Sequence, residues 1–104
     1  MILEDTYTIF NELNYPKNII VQLYPKYLVT RESITRKILN IIDISMVKCL
    51  WTRHSNEMFG IIFQKNRQTF SIYTENVPVY EGWKETLRKM VLIADFHMEY
   101  TVTK

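Results

Sequence analysis

The sequence predicts a mainly β protein of seven strands followed by one C-terminal helix. Aromatic residues make up 13% of the chain and fall mostly within short apolar runs, which is typical of strands. Proline or polar residues separate these runs. After Asn76 the apolar spacing changes from two residues to three and four, which indicates a helix. With 104 residues, 47% of them hydrophobic, the chain is expected to form one compact domain.

The first seventeen residues fit two interpretations. One face of a helix would hold Ile2, Ile9, Phe10 and Leu13, whereas residues 7–10 read as a β-strand. We favour the strand. Residues 18–23 and 27–31 are then two apolar, β-branched runs separated by Tyr24-Pro25-Lys26, which predicts a hairpin. Residues 36–43 are a further apolar run, for which we favour a fourth strand over a helix.

The next three strands have the clearest alternation. Val47, Cys49 and Trp51 occupy one face of the fifth strand, so Trp51 is expected to be structural and Cys49 to be a small buried residue. Polar segments 53–57 and 64–68 predict turns before and after the sixth strand, and residues 69–74 form the seventh. Gly60 within the sixth strand indicates a bulge or close packing against another backbone.

The predicted helix begins after Asn76 or Val77, and Pro78 is tolerated in its first turn. Its apolar residues recur at helical spacing: Val79, Tyr80, Trp83, Leu87, Met90, Val91 and Ala94. We therefore expect an amphipathic helix with a buried aromatic face.

The order of these elements resembles the pleckstrin homology (PH) domain superfamily, whose fold is a bent antiparallel barrel of seven strands with one open end closed by a C-terminal helix. The resemblance covers roughly residues 6–94. Its motifs are VQLYPKYLVT (21–30), ILNIID (38–43), the pair MFGIIF and TFSIYTEN, and above all Trp83 with its spacing to Leu87. It implies a PH-like domain over residues 1–94, in which Trp83 and Leu87 help to cover the open end of the barrel.

Residues 95–104 are expected to be a tail or linker. They resemble the lead-in to the first strand of a protein-kinase catalytic domain, although the glycine-rich loop that would follow is absent. This resemblance implies the PH module of a kinase.

The PH resemblance also implies a ligand, often an inositol phospholipid head group, among the loops at the other barrel end. The cations of these loops are Lys17, Arg36, Lys37, Lys65 and Arg67. Lipid-binding members carry additional basic residues around the first two strands, whereas this chain has Asn11, Glu12 and Asn14 there. The departure favours electrostatic attraction to anionic lipid over stereospecific binding. The alternative is a protein-interaction or autoinhibitory module that binds no lipid.

Other function classes find little support in the sequence. A net charge of +2 argues against nucleic acid as a partner. His54, His97 and Cys49 are the only histidines and cysteine, and no motif for a catalytic site, metal or cofactor occurs. We therefore expect a cytoplasmic, non-catalytic regulatory or targeting module of a larger signalling protein such as a kinase. It would be recruited to the membrane periphery or would contact a neighbouring domain or protein partner.

Overall fold

The computed structural model of the protein describes residues 1–45, 47–90 and 99–101, the last three through their backbone. It contains seven antiparallel strands, one helix and a short additional strand. The predicted mainly β fold class with a C-terminal helix is therefore confirmed. The chain divides into two compact units, Met1–Ile44 and Ser45–Lys104.

The first unit is a four-stranded antiparallel sheet in which consecutive strands are neighbours. Its strands are β1 (Leu3–Phe10), β2 (Pro16–Leu23), β3 (Tyr27–Glu32) and β4 (Ile38–Asp43). The N-terminal segment is thus a strand, as predicted. Pro16 is the first residue of β2 and does not precede it, a position where proline is tolerated because no ladder hydrogen bond is lost within the strand.

The two faces of this sheet differ in composition. One face holds the apolar core of the first unit, with Tyr7, Ile19, Val21, Leu23 and Leu28 almost completely buried. Residues alternate between the two faces along each strand. The opposite face, called the second face below, carries both polar and apolar side chains: Glu4, Ile20, Gln22, Val29 and Arg31.

The second unit contains an antiparallel sheet of three strands with one helix. The strands are β5 (Lys48–Arg53), β6 (Phe59–Lys65) and β7 (Gln68–Thr74), followed by α1 (Val77–Met90). A short strand, β8 (Glu99–Thr101), pairs in parallel with β5, with Trp51 opposite Glu99. This strand falls within the predicted tail, and the domain boundary at residue 94 stays a prediction.

The helix begins where the sequence predicts. The Asn76 side-chain oxygen accepts a hydrogen bond from the Val79 amide at 3.1 Å, the usual geometry of a helix N-cap. Tyr80, Trp83 and Leu87 form the buried face of α1, which packs against β6 and β7. The predicted helical positions Val91 and Ala94 lie outside the described residues. Among the described residues, no helix has the length and apolar character needed to span a membrane.

Gly60 lies in the middle of the three-stranded sheet, between Thr52 of β5 and Tyr73 of β7. The register of both pairings is continuous through Gly60, so the strand has no bulge there. A Cβ at this position would first meet the Tyr73 ring and the Thr52 methyl group, so the predicted bulge is wrong, and the close packing is against side chains and not against a backbone. Glycine is needed because a cross-strand aromatic ring occupies the space above it.

Candidate functional site

The β1–β2 loop is held in a defined shape by one side chain. The carboxamide oxygen of Asn11 accepts hydrogen bonds from the amides of Leu13 and Tyr15, both at 2.9 Å. Asn14 has a φ of 66°, a left-handed conformation that asparagine adopts more readily than most residues. As a result, the loop presents Leu13 and Tyr15 to solvent, with 74% and 64% of their surfaces exposed.

The β3–β4 loop is fixed in a similar way by Glu32. Its carboxylate accepts hydrogen bonds from the amides of Ile34 (2.7 Å) and Thr35 (3.0 Å). These bonds from Thr35 and Ile34 hold the pKa of Glu32 below its ordinary value, and the positive charge of Lys17 lowers it further. The loop presents Ile34, the most exposed of the large apolar residues in the described chain at 86%.

Both loops lie at the same end of the four-stranded sheet. Phe10 pairs with Pro16 and Glu32 pairs with Ile19, so β1 and β3 end where β2 and β4 begin. We call this region the loop end. It brings together three predicted cations with three exposed apolar side chains: Lys17, Arg36, Lys37, Leu13, Tyr15 and Ile34.

The three cations of the loop end are not equivalent, because Arg36 is held by a relay of hydrogen bonds across the second face. Its Nη2 donates to Glu4 Oε1 at 3.0 Å, and its carbonyl accepts from Arg31 Nη1 at 2.9 Å. Arg31 Nε donates to Gln22 Oε1 at 2.8 Å, and Gln22 Nε2 donates to the same Glu4 oxygen at 2.7 Å. Arg36 is therefore engaged in an ion pair, whereas Lys17 and Lys37 are exposed lysines of the loop end.

The other two predicted cations belong to the second unit. Lys65 is the last residue of β6, and Arg67 is an exposed residue of the turn before β7. Asn66 between them has a φ of 59°, which suits a tight turn. The structure thus places the five cations in two groups, one in each unit, and the convergence of the two groups stays a prediction.

The residues named as structural are all buried in the second unit. Trp51, Trp83 and Leu87 expose 2% or less of their surface. The Lys84 ammonium of α1 lies over the Trp51 ring at 5.6 Å from its centroid and over the Tyr80 ring at 5.3 Å, which are cation–π distances. The Lys84 side chain thus packs over buried aromatic rings, while its ammonium group stays near the surface.

Cys49 has the properties of a buried residue. It is fully buried within β5, and desolvation raises the pKa of its thiol to about 12. The thiol is therefore protonated at neutral pH, a state in which it is a poor nucleophile. Among the described residues, no group of three His, Cys, Asp or Glu side chains is arranged to hold a metal ion.

The Glu4 relay makes stability depend on pH in a defined direction. Hydrogen bonds from Gln22 and then from Arg36 lower the pKa of Glu4 below its ordinary 4.5, although burial acts in the opposite sense. A carboxyl group with a lowered folded-state pKa stabilises the fold above its unfolded pKa, and this contribution is lost as pH falls through the folded value. We expect Glu4→Gln to lower the free energy of unfolding at pH 7 and to have a smaller effect near pH 3.

Urea unfolding of both proteins at the two pH values measures this difference. Glu12→Gln is the matched control, because Glu12 is an exposed carboxylate of the same unit outside the relay. If the free energies of unfolding of wild type and Glu4→Gln differed by the same amount at pH 3 and at pH 7, the ionised Glu4 would not have the role given to it.

Sequence reasoning found the cations of the loop end but missed its apolar residues. Leu13 and Ile34 each lie alone between polar neighbours, in Glu12-Leu13-Asn14 and Ser33-Ile34-Thr35. That isolation within a predicted loop was the available signal, since an apolar residue there has no strand neighbours to cover it. The pairing of Glu4 with Arg36, thirty-two positions apart, had no local signal.

Comparison of the chain with models of known protein families finds no match. Comparison with curated proteins also finds none. The class of the protein therefore rests on its architecture: seven antiparallel strands followed by a single helix, which is consistent with a PH-like fold.

Proposed function

We propose that the chain is a PH-like targeting module that binds anionic membrane lipid, phosphoinositides included, through the loop end of its first unit. The observation that carries this proposal is the mixture of exposed lysines and exposed apolar side chains in two adjacent, internally hydrogen-bonded loops. A membrane surface offers both matching components, because anionic head groups attract cations and the acyl boundary accepts apolar side chains.

Each part of the loop end has a separate role in this proposal. Lys17 and Lys37 contribute attraction to the anionic leaflet, about 1 kcal/mol for each lysine near the surface. Leu13, Tyr15 and Ile34 enter the boundary between head groups and acyl chains, where an apolar side chain has a lower free energy than in water. Arg36 holds the β3–β4 loop through Glu4, so its first contribution is to the shape of the site.

In the larger protein this binding would serve recruitment. A domain attached to the module would gain a higher effective concentration at the membrane, which is how a regulatory module acts without chemistry of its own. The resemblance of residues 95–104 to the start of a kinase domain supports a kinase as the attached domain.

The test is co-sedimentation with phosphatidylcholine vesicles that contain either phosphatidylserine or a phosphoinositide. The double variant K17Q/K37Q is expected to bind about thirtyfold more weakly, since two lysines together contribute about 2 kcal/mol. Lys26→Gln is the control, because Lys26 is an exposed lysine at the opposite end of the same sheet. We expect Lys26→Gln to bind like wild type.

A second variant tests the apolar contribution. L13S/I34S is expected to lose the part of vesicle binding that resists higher salt, because screening weakens charge attraction and leaves apolar insertion unchanged. The single variant Lys17→Gln allows a direct comparison with Lys26→Gln. If both lost the same amount of vesicle binding, binding would follow total charge and the loop end would not be the site. Unchanged binding in K17Q/K37Q would contradict it as well.

A further inference from the structure

Tyr15 is the most exposed tyrosine among the side chains that the structure describes. Its exposed fraction is 64%, compared with 47% for Tyr27. Tyr7 and Tyr80 are buried in the cores of their units, at 1% and 3%. An enzyme that modifies a tyrosine must reach its hydroxyl group, so exposure makes Tyr15 the most accessible of these side chains.

The backbone around Tyr15 is held by a single loop residue. The Tyr15 amide donates a hydrogen bond to the Asn11 carboxamide oxygen at 2.9 Å, and the Tyr15 carbonyl accepts one from the Asn11 amide at 3.1 Å. The next residue, Pro16, has no amide hydrogen to donate. Tyr27 differs because it opens β3, a strand paired on both sides, and lies opposite Asp43 of β4. Local opening therefore costs less at Tyr15 than at Tyr27.

The electrostatic surroundings of Tyr15 give its modification a consequence. The two loops of the loop end contain three cations and two carboxylates: Lys17, Arg36, Lys37, Glu12 and Glu32. A phosphate group on tyrosine carries a charge of about −1.5 to −2 at neutral pH. One phosphate is thus enough to reverse the sign of the net charge of these loops.

We propose that Tyr15 is a phosphorylation site for a tyrosine kinase and that its phosphate releases the loop end from anionic membrane, a regulation that rests on the proposed function. The Tyr15 hydroxyl oxygen attacks the γ-phosphorus of ATP, the bond from that phosphorus to the β,γ-bridging oxygen breaks, and ADP leaves. The hydroxyl proton passes to the catalytic base of the kinase. The product places a charge where the Tyr15 ring would otherwise enter the membrane boundary, so charge attraction and apolar insertion are both weakened.

Mass spectrometry of the full chain, treated with a tyrosine kinase of broad specificity, Mg²⁺ and ATP, tests the site. Phosphate is expected to enter Tyr15 more than about tenfold faster than Tyr27, because the Tyr15 segment opens more easily. Tyr15→Phe is the matched control, since it removes the acceptor hydroxyl and keeps the ring. Equal or faster incorporation at Tyr27 would overturn Tyr15 as the site.

Co-sedimentation with phosphatidylcholine vesicles that contain phosphatidylserine tests the release. Phosphorylated wild type is expected to bind about thirtyfold more weakly than unmodified wild type, because a doubly charged phosphate offsets two lysines. Tyr15→Phe should bind equally before and after kinase treatment, with its own untreated binding as the reference. Unchanged binding of phosphorylated wild type would overturn the release.

The two measurements separate this inference from the proposed function. If unmodified wild type did not bind the vesicles, the proposed function would fail and the release would fail with it. Mass spectrometry would still decide whether Tyr15 is a phosphorylation site, because that measurement involves no lipid.

Discussion

Trp83→Ala is expected to lower the free energy of unfolding by about 3–5 kcal/mol, the usual cost of removing a large buried aromatic side chain. Trp83 is 1% exposed and lies between Tyr80 and Leu87 on the buried face of α1. An alanine there leaves a cavity between α1 and the strands against which the helix packs. The loss is large compared with the total stability of a small domain, about 5–15 kcal/mol.

Urea unfolding followed by circular dichroism measures the effect of Trp83→Ala. Glu85→Ala on the exposed side of α1 is the control: it removes an ion pair with Lys89 at 3.4 Å whose two side chains are largely exposed. Such surface pairs contribute about 0–1 kcal/mol. Trp83→Phe should lose less than Trp83→Ala because it retains part of the buried ring. If Trp83→Ala and Glu85→Ala had similar stabilities, Trp83 would not be part of the core.

Gly60→Ala is expected to destabilise the protein by about 1–3 kcal/mol, the cost of adding an atom to a tightly packed position. A Cβ at Gly60 would lie 2.6 Å from both Cδ1 and Cε1 of the Tyr73 ring and 2.9 Å from the Thr52 methyl carbon. Both Tyr73 atoms belong to one rigid ring, so relief requires the whole ring to turn away. Its edge contact with the His54 ring, at 5.2 Å between centroids, would then change as well.

The chain's second glycine provides a control of opposite sign. A Cβ at Gly82 of α1 would meet no atom within 4 Å, so Gly82→Ala should raise the free energy of unfolding by about 0.5–1 kcal/mol through its better helix propensity. A Tyr73→Ser background should reduce the cost of Gly60→Ala, since the clashing ring is absent. If the cost were the same in both backgrounds, contact with Tyr73 would not be its cause.

Local apolar patterns in the sequence were enough to predict the seven main strands, the helix and much of the core. Alternation of Cys49 with Trp51 located β5 and its buried face, and the change of spacing after Asn76 located α1 with Trp83 and Leu87 buried. These features follow from the positions of apolar residues a few places apart, because a strand or helix must direct a continuous apolar face toward the core. The cations of the candidate site could be named for a different reason, since the resemblance to the PH superfamily indicated which loops to read.

Contacts between residues far apart in the chain could not be predicted in this way. The ion pair between Arg36 and Glu4 and the position of the Tyr73 ring over Gly60 both depend on strand register. Register is set by pairing between segments far apart in the chain, and a shift of one residue moves a side chain to the opposite face. For this reason the sequence indicated which residues are charged or apolar, whereas the fold decided which cations are engaged and which apolar side chains remain exposed.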